Sequence, residues 1–164
     1  MSYAYSNCYN LTGNPVCGNK VTDMTQTYFS CYTLTGSPVC GDNVTTMSYT
    51  YGCCNNLTGS PVCGLNVTDM SYTYYNCTNL YGDMYMLSNS VKNIRNCFGG
   101  KNNSKRLNIY VSENSTSLNT CLYNNTSSLV GTNITWTNNY NVNKCYYNTV
   151  YNIYIYPVNN VTPQ

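Results

Sequence analysis

The octapeptide "LTGSPVCG" runs from Leu34 to Gly41 and recurs letter for letter from Leu57 to Gly64. A near copy, "LTGNPVCG", runs from Leu11 to Gly18, so the three copies follow one another at a constant step. A fixed period of about 20 to 29 residues is typical of repeats that stack on one another, because no single repeat can bury its inner face alone. The octapeptide therefore predicts a stack of similar coils.

The period extends to whole columns of equivalent residues. Four residue types recur at the same step: Cys8, Cys31, Cys54 and Cys77; Leu11, Leu34, Leu57 and Leu80; Tyr5, Tyr28, Tyr51 and Tyr74; Met1, Met24, Met47 and Met70. After Cys77 the copies diverge, although Cys97, Cys121 and Cys145 keep a step that is one residue longer. We predict one continuous domain, with regular repeats over residues 1–80 and divergent repeats ending in a C-terminal cap over residues 81–164.

Each coil is predicted to combine a short extended segment with a helical one. Leu57 to Cys63 is a brief strand candidate interrupted by glycine and proline, and a turn follows at Gly64 to Asn66. Val67, Met70 and Tyr74 step by three and four residues, which is the spacing of one helical face. The fold predicted is an α/β solenoid, a right-handed coil of about six to seven turns with short strands and short helical or irregular segments.

The divergent part contains three strand candidates with alternating apolar residues. They are "RLNIYV" at Arg106 to Val111, "NITW" at Asn133 to Trp136 and "VYNIYIYP" at Val150 to Pro157. These segments are predicted to extend the coil towards the C-terminus.

The sequences "NVTTMSYTYGCCNNL" at Asn43 to Leu57 and "NVTDMSYTYYNCTNL" at Asn66 to Leu80 resemble BspA-type leucine-rich repeats. The shared features are a V-T-x-M step, an aromatic residue and then C-x-x-L, and the last strand is similar to that family's L-x-x-I-x-I-P strand. The resemblance implies a leucine-rich-repeat coil. It also implies a surface protein of a cell or a virion component that serves in adhesion. Ser37 and Ser60 depart from the pattern at a position that is usually apolar.

Composition limits the classes of partner. Only 7% of the residues are charged, histidine is absent and the net charge is +2, whereas tyrosine occurs 20 times. The surface is therefore expected to be rich in Asn, Thr, Ser and Tyr. No signal peptide and no apolar run long enough to span a membrane are visible, so we expect no membrane span. A nucleic-acid partner is not favoured, because one small group of basic residues provides few phosphate contacts.

The 11 cysteines allow two interpretations. Residues of one column stack about 5 Å apart, which permits some disulfides, but cysteines in such columns commonly serve as small buried apolar residues. We favour free buried thiols over a bonded ladder. A metal site is not expected, because the sequence has no C-x-x-C pair and no histidine.

No catalytic group stands out. The acids are Asp23, Asp42, Asp69, Asp83 and Glu113, and without histidine none has an evident acid–base partner. Asp23 and Asp69 share a column and are candidates for helix caps. We therefore expect a protein that is not an enzyme and has no cofactor.

Two groups of residues are candidates for binding. Five basic residues lie close together in sequence and could bind an anionic partner: Lys92, Arg95, Lys101, Lys105 and Arg106. We favour the alternative that they belong to a solvated loop. Tyr3, Tyr49 and Tyr72 form a column broken by Gln26. Since Tyr49 and Tyr51 are two residues apart, as are Tyr72 and Tyr74, one of each pair should point outward and could contact a sugar or a protein.

The chain begins in mid-repeat with Met1 in the core column, so its first coil is expected to be open to a second copy. The function predicted is that of a self-assembling structural or adhesive protein, such as a tail fibre, filament or decoration subunit outside a virion or cell. The alternative is a monomeric module that recognises a host surface glycan or protein through a face rich in tyrosine and asparagine.

Overall fold

The repeats contact one another through rows of turns. The computed structural model describes residues 1–87, 90–101, 105–112, 129–130, 137–139 and 145–158. Equivalent stretches of consecutive turns, which we call turn rows, lie within residues 1–8, 24–31, 47–54, 70–77 and 94–101. Each row lies beside the next one, so residues one period apart become neighbours.

Backbone hydrogen bonds alternate along each turn row. The N–H of Tyr51 donates to the carbonyl of Thr73 in the next row at 2.9 Å. The N–H of Thr50, one residue earlier, donates to the carbonyl of Met47 in its own row at 2.9 Å. Because each buried amide needs an acceptor, this alternation lets a row pack in the interior without helix or strand pairing.

The alternation is accompanied by left-handed backbone at two positions in each row. Positive φ angles between 50° and 78° recur at Tyr3, Gln26, Tyr49, Tyr72 and Asn96, and at Asn7, Ser30, Cys53, Asn76 and Gly100. A right-handed helix cannot contain such residues. The helical segment predicted from Val67, Met70 and Tyr74 is therefore wrong, since Tyr72 lies inside it with a φ of 55°.

An aspartate directly before two of the turn rows forms a turn with its side chain. The carboxylate of Asp23 accepts the N–H of Thr25 at 2.7 Å, and that of Asp69 accepts the N–H of Ser71 at 2.8 Å. An aspartate that binds the amide two residues later makes an Asx turn. Asp23 and Asp69 are thus turn residues, and the prediction that they cap helices is wrong.

The copied octapeptide carries a repeated contact with tyrosine. The hydroxyl of Tyr51 donates to the carbonyl of Val39 at 2.7 Å and accepts the N–H of the same valine at 3.0 Å. A Cβ added at Gly64 would lie 2.8 Å from the sulfur of Cys40 in the preceding repeat, so that glycine permits close packing. Each copy of the octapeptide packs against equivalent residues of its neighbouring repeats, which accounts for the repetition of its sequence. The same tyrosine–valine pairing joins Tyr28 to Val16 and Tyr74 to Val62.

Between the turn rows, the core is built mainly from the predicted columns. Met24, Met47 and Met70 are fully buried, and the tyrosine, cysteine and leucine columns of the same repeats are buried with them. The buried hydroxyl of Thr50 lies 2.8 Å from the carbonyls of Met24 and Met47, and these two acceptors share its single hydrogen. Burial of these apolar side chains is the main favourable contribution to folding.

A fifth turn row continues the stack past residue 80 after one extra residue. The N–H of Met47 donates to the carbonyl of Asp69, whereas the N–H of Met70 donates to that of Asn93, which lies one position further along than the repeat step predicts. Equivalent positions in the fifth row are consequently displaced by one residue. This displacement places Lys101 in the column of Cys77.

Five strands form one mixed sheet. They are β1 (Gly82–Met86), β2 (Leu107–Ser112), β3 (Thr137–Asn139), β4 (Cys145–Asn148) and β5 (Ile153–Val158). The order across the sheet is β1-β2-β5-β4-β3. β1, β2 and β5 pair in parallel, whereas β4 pairs antiparallel with β5 and β3. β2 and β5 confirm the strands predicted at 106–111 and 150–157, except that residues 150–152 form a turn.

The predicted α/β leucine-rich-repeat solenoid of six to seven turns is wrong. No α-helix occurs in the described ranges, and the extended residues 57–63 form no strand. The C-terminal part forms an antiparallel hairpin against β5, whereas successive coils of a right-handed solenoid pair only in parallel. The strand predicted at 133–136 and the tail at 159–164 lie outside the described residues.

Candidate binding face

The outer side of the mixed sheet carries a row of tyrosines. Side chains alternate along a strand, so buried apolar residues such as Met84 and Ile109 point into the core while their neighbours point outward. The register places Tyr85, Tyr110 and Tyr156 opposite one another on three adjacent strands. Their rings stack with centroids 4.9 and 5.1 Å apart.

Arg106 connects this row to a fourth tyrosine. Its guanidinium lies 3.7 Å from the ring centroid of Tyr154 and donates to the hydroxyl of Tyr156. Its Nε donates to the Asn108 side-chain oxygen at 2.7 Å, and Asn108 in turn donates to Asp83 at 2.7 Å. We define the tyrosine face as Tyr85, Tyr110, Tyr154, Tyr156 and Arg106.

The geometry determines which groups this surface offers. Because the rings lie face to face, they cover one another's flat sides and present edges and hydroxyls to solvent. Tyr85 ends the row and is 47% exposed, so it also offers ring surface. A tyrosine hydroxyl is protonated at neutral pH with its ordinary pKa of 10, and partial burial raises the pKa of Tyr110 and Tyr156 further. The face can therefore donate and accept hydrogen bonds and make apolar contacts.

The predicted tyrosine column is only partly assembled. Tyr49 and Tyr72 stack with ring centroids 4.4 Å apart, but Tyr3, which is 57% exposed, is separated from them by Gln26. Met1 is half-buried, and its ammonium group donates to a backbone carbonyl of the second repeat at 2.8 Å. The expectation that one tyrosine of each pair points outward is confirmed, because Tyr49 and Tyr72 are half-buried whereas Tyr51 and Tyr74 are fully buried.

The five basic residues do not share one surface. Lys92, Arg95, Lys105 and Arg106 are exposed, but Lys101 is buried in the cysteine column with 3% of its surface accessible. Lys105 lies over an exposed tyrosine ring at 4.4 Å, and Arg106 belongs to the tyrosine face. Two of the exposed basic residues thus act as partners of tyrosine rings.

Lys101 connects the fifth turn row to the turn that precedes β5. Its ammonium donates to the carbonyls of Lys105 and Tyr151 at 2.8 and 3.1 Å. Burial lowers the pKa of Lys101 to about 8. The inclusion of Lys101 in an exposed basic patch is therefore wrong.

The ten described cysteines form no disulfide with one another, and Cys121 lies outside the described residues. The expectation of free buried thiols is met by five of them: Cys31, Cys54, Cys77, Cys97 and Cys145. The buried thiols of Cys31, Cys54 and Cys77 donate to carbonyls of the preceding row at 3.1, 3.0 and 2.9 Å. Burial raises the pKa of Cys31 to about 11, so it is protonated at neutral pH. Within the described ranges, no group of three or more His, Cys, Asp or Glu side chains could hold a metal ion.

The tyrosine face was missed in the sequence, although two of its strands were predicted. The signal is alternation, since tyrosine occupies outward positions in "LNIYVS" at 107–112 and in "IYIYPV" at 153–158. The register that aligns Tyr85 with Tyr110 and Tyr156 depends on β5 pairing beside β2, which the repeat period does not predict. The acid Glu113 lies outside the described residues.

Comparison with known protein families, curated proteins and solved structures gives no match to this chain. The resemblance to BspA-type repeats therefore stays a prediction from the residues, and the fold that it implied is wrong for the described part. In that part, no helix has the length and apolar character needed to cross a membrane.

Proposed function

We propose that this protein is a non-enzymatic adhesive module that binds a partner protein through the tyrosine face. The observation that supports the proposal is the assembly of four tyrosines and Arg106 on the outer side of the sheet. Tyrosine and arginine are enriched among the residues that contribute most to protein–protein binding. Stacking and the Arg106 hydrogen bonds hold these side chains in place before binding, which lowers the entropic cost of association.

A protein partner fits this surface better than a sugar. A sugar ring stacks on the open flat side of an aromatic ring. The ring of Tyr110 is covered on both sides by its neighbours Tyr85 and Tyr156, so within this stacked row an open flat side is offered at the end, by Tyr85, and not along the row. Hydroxyls, ring edges and a guanidinium instead suit the backbone carbonyls, carboxylates and apolar side chains of a protein. The location outside a virion or cell is part of the proposal and rests on the family resemblance alone.

Self-assembly by continued row stacking has less support. A further copy could extend the stack beyond the fifth row only if that row offered unused N–H donors. The N–H of Phe98 in this row already donates to the carbonyl of Leu129 at 2.8 Å, and Leu129 is buried. Assembly through another surface stays a prediction.

The proposal predicts loss of binding when the tyrosine face is truncated. A double variant, Tyr85→Ala with Tyr110→Ala, is compared with the wild type on arrays of surface proteins and of glycans. We expect affinity for the bound array protein to fall at least about tenfold, since the two tyrosines together should contribute more than about 1.4 kcal/mol to binding.

The matched control is Tyr9→Ala with Tyr32→Ala, which removes another exposed stacked pair, with centroids 5.4 Å apart. Circular dichroism of both double variants checks the fold. Equal binding by the two would refute the tyrosine face as the binding surface. Binding to glycans alone would show that the proposed partner class is wrong.

A further inference from the structure

Tyr49 and Tyr72 form the tightest stacked ring pair among the described residues. Their centroids are 4.4 Å apart and their planes differ by 3°, whereas the other stacked pairs lie 4.9 to 5.7 Å apart. The two residues belong to adjacent repeats and share the same left-handed backbone, with φ of 54° and 55°. Their side chains therefore leave the backbone in the same direction.

The surroundings hold the two rings together at the surface. The N–H of Tyr49 donates to the carbonyl of Ser71 at 2.9 Å, which fixes the two backbones beside each other. Phe29 contacts Tyr49 edge-on at 5.8 Å, and Tyr75 contacts Tyr72 in the same way at 5.7 Å. Both tyrosines of the pair remain partly exposed, so small reagents can reach them.

The two hydroxyls also lie on the same side of the stack, because the two side chains leave adjacent backbones in the same direction and their rings are parallel to within 3°. Burial and the nearby phenol of Tyr72 raise the pKa of Tyr49. When parallel rings have adjacent hydroxyls, the ring carbons next to those hydroxyls are adjacent as well. These ortho carbons carry much of the unpaired electron density of a tyrosyl radical.

We propose that Tyr49 and Tyr72 form an oxidative cross-linking site, at which a peroxidase-type one-electron oxidant and hydrogen peroxide join the third and fourth repeats through a dityrosine. Each phenol loses one electron and its hydroxyl proton, and a carbon–carbon bond forms between the two ortho carbons. The two ring hydrogens at the new bond move to the phenolic oxygens. The two electrons and two protons removed reduce one hydrogen peroxide to two water molecules.

Other tyrosines are less suited to this reaction. Tyr28, Tyr51 and Tyr74 are buried, and their hydroxyls are held by valine backbones. Tyr9 and Tyr32 are exposed, but their ring centroids are 5.4 Å apart. The Tyr49–Tyr72 pair combines the shortest separation with access, so we expect it to give the main intramolecular product.

The proposal is tested by treating dilute protein with peroxidase and hydrogen peroxide. Free tyrosine is added to the same tube, and its consumption shows that oxidation has taken place. Cleavage before Asp42, Asp69 and Asp83 separates Tyr49, in fragment 42–68, from Tyr72, in fragment 69–82. The expected product is this fragment pair, with dityrosine fluorescence and a mass lower than the sum of the fragments by two hydrogen atoms. Only the monomer fraction from gel filtration is digested.

Three variants make the assignment specific. Tyr49→Phe and Tyr72→Phe keep the ring but cannot form a phenoxyl radical, so each should lose the linked pair. Tyr75→Phe, which changes another partly exposed tyrosine of the same fragment, should retain it. The proposal is overturned if free tyrosine is consumed while the wild type gives no linked pair, or if the pair persists in Tyr72→Phe.

Discussion

Replacing Tyr51 by alanine is expected to lower the free energy of unfolding by about 3 to 5 kcal/mol, the range for deleting a large buried aromatic side chain. Tyr51 is fully buried between Tyr28 and Tyr74, with ring centroids 5.5 and 5.7 Å away. Its loss leaves a cavity and also leaves the backbone of Val39 without both hydrogen bonds. Urea denaturation of the variant and the wild type measures the difference.

Two further variants separate the causes. Tyr51→Phe keeps the ring and removes only the hydroxyl, so it should cost about 1 to 3 kcal/mol for the unpaired backbone groups. Tyr32→Ala removes a tyrosine that is 43% exposed, and it should cost less than about 1 kcal/mol. A loss for Tyr51→Ala no larger than that for Tyr32→Ala would contradict the described packing of the tyrosine column.

Stability is expected to fall steeply with rising pH once the pH exceeds the ordinary thiol pKa of 9. Burial raises the pKa of Cys31 and of Cys40 to about 11, and it raises the pKa of Cys54 and Cys77 as well. The unfolded chain loses these protons at the ordinary value and so holds fewer protons than the folded chain in this range. The stabilisation is complete below the ordinary pKa and is lost as the pH rises through the folded-state pKa.

Lys101 acts in the opposite direction. Burial lowers its pKa from 10.5 to about 8, so between these values the unfolded state binds more protons and this group alone favours folding as the pH rises. Each proton changes the stability by at most about 1.4 kcal/mol per pH unit. Four cysteines outweigh one lysine, although water reduces the contribution of half-buried Cys40.

Urea midpoints measured across the alkaline range test this prediction. Cys54→Ala removes one of the groups with a raised pKa, so its stability should fall less steeply with pH than that of the wild type. A midpoint that stays constant or rises up to the folded-state pKa of Cys31, about 11, would show that the thiols are not buried as described.

Much of the core could be predicted from the sequence, because burial follows the repeat columns. Met47, Tyr51, Cys54 and Leu57 belong to predicted apolar columns, and all four are fully buried. The repeat spacing determines which residues are neighbours when repeats stack, independently of the backbone conformation between them. In the second to fourth repeats, column membership therefore predicts burial without requiring a correct secondary structure.

The turn rows could not be predicted in the same way. Tyrosine rarely adopts positive φ, so the amino-acid sequence does not predict a left-handed backbone conformation at Tyr49 or Tyr72. Hydrogen bonds to the adjacent row stabilise that conformation, and they exist only after stacking. The spacing of Val67, Met70 and Tyr74 consequently suggested a helical face that does not form.

The position of Lys101 and the tyrosine face depend on pairing between distant parts of the chain. One extra residue before the fifth row shifts Lys101 into the cysteine column, where the carbonyls of Lys105 and Tyr151 accept hydrogen bonds from its ammonium. The tyrosine face needs β5 beside β2, with Tyr110 opposite Tyr156. Local sequence patterns do not determine the register between distant strands, so they do not predict that these tyrosines lie on one face.

The packing of the repeats depends on the alternating hydrogen bonds of the turn rows, and scalar couplings across hydrogen bonds in a long-range HNCO spectrum test them most directly. We predict a coupling from the amide nitrogen of Tyr51 to the carbonyl carbon of Thr73, and one from Thr50 to Met47. Couplings from each amide to the carbonyl four residues earlier would instead indicate a helix. That result would contradict the turn rows, and with them the placement of Tyr49 beside Tyr72.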